Sequence, residues 1–127
     1  MSFSLVIVAI TSLMYLSFGV ALFFYPGELL KKIGIIFLDP VGIMEVRAFY
    51  GGLEIGLGLF ILVSYYLFEP RYALLLSIFI LFFTLVGRAY GTVVDSAWSN
   101  YLIYAVIIEG SLLLLNSYCF YASYNKG

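Results

Sequence analysis

The chain has 127 residues, of which 65% are hydrophobic, 20% aromatic and 10% charged, with a net charge of −1 at pH 7. Soluble domains carry about 25% charged residues, so the chain stands far outside that class, and its near-neutral balance offers no basic patch to nucleic acid. It has no histidine and a single cysteine, Cys119, so it lacks the commonest general base, any internal disulfide and the usual complement of zinc ligands.

Residues 1–27 contain no charged side chain. A bilayer core takes about 20 apolar residues as helix, so a first transmembrane helix is predicted over about 3–25. Met1-Ser2-Phe3-Ser4 has no basic side chain, which favours a retained span over a cleaved signal peptide. Pro26-Gly27 closes the span. Residues 27–39 are too short to cross. Leu29, Ile33, Ile36 and Phe37 fall on one helical face, with Glu28 and Lys32 one turn apart elsewhere, so an amphipathic helix in the membrane interface is predicted, weakened at Gly34.

Asp39-Pro40 restarts the chain, and a second span over about 41–68 carries Glu45, Arg47, Tyr50 and Glu54. Gly52 and Gly56 are four apart, with Gly51 and Gly58 beside them, and small residues at that spacing predict the close approach of another helix. After the polar turn Glu69-Pro70-Arg71, a third span over about 72–94 is free of charge until Arg88, with Thr84 one turn before it. A short turn, Asp95 to Asn100, leads to a fourth span over about 101–121, which carries Glu109 and, on the same face, Asn116. Pro26, Pro40 and Pro70 all sit at span boundaries.

One stretch occurs twice. Residues 47–54 read Arg-Ala-Phe-Tyr-Gly-Gly-Leu-Glu and residues 88–95 read Arg-Ala-Tyr-Gly-Thr-Val-Val-Asp. Each closes with a carboxylate about two helical turns after its arginine, on the same face. Ionisable groups at such depth usually face a bundle interior or a cavity. Four passes put Glu45, Arg47, Glu54, Arg88, Asp95 and Glu109 in the half of the membrane away from the termini. Tyr65, Tyr66, Tyr72, Tyr118, Tyr121 and Tyr124 form one aromatic belt, and Tyr25, Tyr50, Tyr90, Trp98 and Tyr101 the other.

The second and third spans run antiparallel, which brings Arg47 level with Asp95 and Glu54 level with Arg88. Two ion pairs across the helices are predicted, because a buried unpaired charge is costly. Glu109 falls at the depth of Glu54 and Arg88, so two carboxylates share one guanidinium. A proton, a cation, or a donor such as Asn116 or a tyrosine can answer the excess charge. The expected result is a polar pocket that opens towards the face away from the termini or sideways into lipid.

Glu45-x-Arg47-Ala48-x-Tyr50-Gly51-Gly52, then Arg88-x-x-Gly91-x-x-x-Asp95, then Glu109 in the last helix, resembles a family of small bacterial four-helix membrane proteins of unknown function, grouped with the DoxX-like membrane proteins. The resemblance spans nearly the whole chain. It implies a four-helix bundle in the bacterial cytoplasmic membrane and no established reaction. Some DoxX-like proteins are described as subunits of quinone-linked sulfur oxidation, and more distant relatives handle sterols or assist receptor assembly. Only the polar core is shared with them.

The expectation is therefore an all-α fold, a single integral membrane four-helix bundle with a short interfacial helix between the first two spans. The favoured reading is a ligand-binding or accessory membrane protein, whose polar core of Glu45, Arg47, Tyr50, Glu54, Arg88, Asp95, Glu109 and Asn116 holds a lipid, quinone or amine. An enzyme on a lipid-soluble substrate, with Glu54 and Glu109 as acid and base, is the second. A proton- or cation-coupled carrier, working as a homo-oligomer, is the third. The plainest reading is that the charges only lock the bundle. No cofactor, metal or nucleic-acid partner is expected, and membership of a larger membrane complex is left open. Arg71 and Lys126 on the termini side balance Lys31 and Lys32 on the other. Orientation thus rests on the short tails, which favour cytoplasmic termini.

Overall fold

A computed structural model describes residues 2–37 and 39–125. Lys126, which enters the charge comparison between the two faces, lies outside them. All regular structure among the described residues is helical: α1 (Phe3–Phe24), α2 (Pro26–Lys31), α3 (Pro40–Val46), a π-helical stretch Arg47–Gly52, α4 (Leu53–Leu67), α5 (Pro70–Val94) and α6 (Asn100–Tyr124). Phe3–Phe24, Pro40–Leu67, Pro70–Val94 and Asn100–Tyr124 are each long and apolar enough to cross a membrane. The chain is an integral, multi-pass membrane protein.

The helix starts have local causes. Ser2 accepts from the Leu5 N–H, the Asp39 carboxylate accepts from the Val41 and Gly42 N–H groups, and Ser99 accepts from the Leu102 N–H. Pro26, Pro40 and Pro70 each stand as the first residue of a helix, where the missing N–H is no loss.

The predicted interfacial helix is shorter than its periodicity suggests. It spans Pro26–Lys31 only, and Gly34, at φ +88°, takes the chain into a left-handed turn. Ile33, Ile36 and Phe37 thus lie outside the helix, and the residue that anchors it is Leu30, at 4% exposure.

α1 is the hub. It packs against α4 and the π-helical stretch most extensively, and also against α5, α6 and α2. Three glycines allow this. A Cβ on Gly51 would fall 2.7 Å from Phe23 Cα, one on Gly58 would fall 2.9 Å from the Ser12 carbonyl oxygen, and one on Gly19 would fall 2.7 Å from the Ile55 nitrogen. Ser12 Oγ donates to the Gly58 carbonyl at 2.7 Å across the same seam. Gly56, expected at a helix contact, has nothing within 4 Å, and Gly52 meets only the Arg47 carbonyl oxygen of its own helix. The contact glycines are therefore 51 and 58, seven apart and so on one face of the span; around Gly51 the helix widens, and Leu53 N–H reaches back to the Ala48 carbonyl across the π-helical stretch.

Burial is lopsided along the bundle axis. The buried residues of α5 are Ala73, Leu74, Ser77 and Leu81, those of α6 are Leu112, Asn116 and Cys119, and α3 has none. With Ile7, Val8 and Ile61, the apolar ones make a tight core in the half near the termini. In the opposite half, where the charges sit, α5 has no buried residue after Leu81 and α6 none before Leu112, while Leu22 of α1 and Leu30 of α2 stay buried.

Candidate functional site

Beyond the tight core, Arg88 of α5 meets Glu109 of α6. Nε donates to Oε2 and Nη2 donates to Oε1, both at 2.7 Å, in a two-pronged ion pair whose side chains are 23% and 12% exposed. The Arg88 guanidinium carbon also lies 5.6 Å from the centre of the Tyr101 ring. Glu54 of α4 joins this pair from the second span. It is half-buried, its Oε2 is fully enclosed, and no donor reaches that oxygen. Tyr15 of α1, 8% exposed, completes the cluster, within Coulombic reach of Glu109, Glu54 and Arg88 and beside Thr84.

The eight side chains expected to form the polar core thus divide. Glu54, Arg88 and Glu109 come together. Arg47 does not pair with Asp95; its Nη1 donates to the Phe23 and Phe24 carbonyls at the C-terminal end of α1. The cause is packing. The π-helical stretch sits on α1 and makes no comparable contact with α5, so Arg47 and Asp95 are level but not adjacent. A guanidinium at a helix C-terminus also meets the negative end of its dipole. Glu45, Tyr50 and Asp95 are exposed. Asn116 is wholly buried, but its amide nitrogen donates to Thr11 Oγ1 at 3.0 Å and to the Leu112 carbonyl at 2.8 Å, away from the carboxylates. Its Oδ1 has no donor.

Two members were missed in the sequence. Tyr15 has a signal there: it is a tyrosine in mid-span, belonging to neither aromatic belt, and its hydroxyl needs a partner. Tyr101 was assigned to the belt alone, although it lies two turns before Glu109 on α6.

A cavity of about 370 Å³ opens at the end of the bundle away from the termini. Arg88, Thr92 and Tyr101 line it, with Ser99 at the start of α6 and Lys32 and Ile33 from the segment after α2. The Arg88–Glu109 pair is therefore reached from outside by way of its guanidinium. Among the described residues, no three His, Cys, Asp or Glu side chains converge on a point where a metal ion would sit.

No curated protein and no solved structure matches the chain. Residues 3–119 match the model of a domain of unknown function, DUF4345, and with nearly its whole length covered the chain belongs to that family.

Proposed function

We propose that this protein binds a small amphipathic molecule, with the polar end in the cavity over Arg88 and the apolar part against Ile33 and Leu102 of its lining. The observation that carries this reading is the coincidence of three features at one end of the bundle: the lack of buried residues on α5 and α6, the open cavity and the inward-facing ion pair. A pair that only locked helices would need no cavity beside it. A place in the bacterial cytoplasmic membrane, kinship with the DoxX-like proteins and service as an accessory subunit belong to the same proposal.

Gly91 gives the test. It lines the cavity, and a Cβ there would meet only the Asp95 carboxylate, at 3.5 Å. Gly91→Leu should fill the cavity and leave the fold intact. Native mass spectrometry of the protein purified in mild detergent should show a co-purifying amphipathic molecule in the wild type and none in Gly91→Leu, at equal thermal stability. A wild type that carries nothing, or a variant that keeps its ligand, overturns the reading.

The enclosed Glu54 oxygen supports a second reading, a proton- or cation-coupled carrier, because a buried carboxylate oxygen without a donor is costly unless a proton or cation visits it. Both Glu109 oxygens are held by Arg88, so the acid–base pair imagined for an enzyme has one free member. Glu54→Gln separates binder from carrier. For a binder it leaves ligand occupancy intact. For a carrier it abolishes proton or cation uptake into liposomes that hold the purified protein.

A further inference from the structure

We infer that the cavity selects a monoanionic group, a phosphodiester or a carboxylate, as the polar end of its ligand; this rests on the binding reading above. Its lining contains two cationic side chains, Lys32 and Arg88, and no carboxylate. Glu109 neutralises Arg88 but engages only Nε and Nη2, which leaves Nη1 for a second acceptor. Lys32 forms no ion pair among the described residues. Within the lining itself Lys32 is thus the charge without a partner, and a monoanion seated between Lys32 and Arg88 balances it.

The neutral groups have the same polarity. Ser99 Oγ accepts from the Leu102 N–H, so its own hydroxyl proton is free to donate. The first N–H groups of α6, a helix of 25 residues, begin beside Ser99 and carry the positive end of the helix dipole. Thr92 spends its hydroxyl proton on the Arg88 carbonyl. Two carboxylates without a salt-bridge partner among the described residues stand near but outside the lining: Asp95, exposed at the rim beyond Gly91, and Glu54, enclosed behind the Arg88–Glu109 pair. Tyr101 and Trp98 belong to the aromatic belt, which places the cavity at the depth of lipid headgroups. Ile33 supplies an apolar wall for the first carbons of a chain.

The ligand's source is either a lipid headgroup or a free anion, and one experiment distinguishes them. Detergent-purified protein is titrated with phosphatidylglycerol and with phosphatidylcholine of matched acyl chains by native mass spectrometry, and its Tm is followed in inorganic phosphate. Lys32 is exposed, so Lys32→Ala and Lys32→Glu should fold, and Lys31→Glu serves as the control for a neighbouring lysine outside the cavity. We expect phosphatidylglycerol to be retained over phosphatidylcholine. Lys32→Ala should weaken it about fivefold, Lys32→Glu should weaken it more, and Lys31→Glu should have little effect. A rise in Tm with phosphate that Lys32→Glu removes, without lipid retention, assigns the same site to a free anion. Equal retention of both lipids, unmoved by Lys32→Glu, overturns the anionic class and leaves the binding reading standing. Retention of neither lipid, with no effect of phosphate, overturns both.

Discussion

Arg88→Ala is expected to lower unfolding stability in detergent by about 3 kcal/mol, the low end of what removing one partner of a buried ion pair costs. The low end applies because the cavity lets water reach the guanidinium. The loss strands Glu109, 12% exposed, beside Glu54, whose enclosed oxygen already lacks a donor. Arg47→Ala should cost about 1 kcal/mol, since it releases only two carbonyls at the end of α1, close to solvent. The paired change Arg88→Met with Glu109→Leu should be less damaging than either single change, because no charge is left uncompensated. Thermal or detergent-driven unfolding of Arg88→Ala, Arg47→Ala, Arg88→Met, Glu109→Leu and the paired variant checks this. Additive losses, or Arg47→Ala as the worse of the two arginine changes, would mean that the two-pronged pair does not couple α5 to α6.

Gly51→Leu and Gly58→Leu should each cost about 3 kcal/mol or more, whereas Gly56→Leu should be neutral within about 0.5 kcal/mol. The three glycines lie within eight residues on one span, and hydropathy does not distinguish them. At Gly51 and Gly58 the obstacle to a side chain is the backbone of α1, at 2.7 Å and 2.9 Å, which can yield only if the helices separate. At Gly56 there is open space. Separation would also break the hydrogen bond from Ser12 to the Gly58 carbonyl. Size-exclusion profiles and Tm of the three variants give the comparison. Equal behaviour of all three would show that α1 and α4 do not meet through these glycines.

The spans were legible in the sequence because a membrane demands length and apolarity, and the chain meets both with prolines and caps between. The cluster of Glu54, Arg88 and Glu109 was legible too, because counting residues along the helices gives depth; but of the two carboxylates level with Arg88 only Glu109 forms the ion pair, and the expected Glu54–Arg88 pair is not made. Arg47 and Asp95 show where counting ends. Their depths agree, but depth says nothing about which helix is the neighbour. That choice belongs to Gly19, Gly51 and Gly58, which draw the second span onto α1. The role of α1 was hidden for the same reason: a span without charges offers no pattern to pair. Of its inward residues, Thr11, Ser12, Tyr15 and Gly19, only Tyr15 stands out in sequence. The shortened α2 was a matter of competing terms, with apolar periodicity favouring a longer helix and Gly34 favouring a turn.

The π-helical stretch has a consequence for how this chain tolerates changes in length. In an α-helix, one added residue turns everything beyond it by about 100°. Were a residue added to α5 between Thr84 and Arg88, the guanidinium would swing off Glu109 and out of the cluster. Between Arg47 and Gly52 the wider turn already accommodates an extra residue, so α3 and α4 each keep their own face: Arg47 on the end of α1, Glu54 and Gly58 towards the interior. Removing one residue there would tighten the turn to ordinary helix without rotating either flank. The second span therefore contains a register joint, where a single-residue deletion leaves the polar cluster in place.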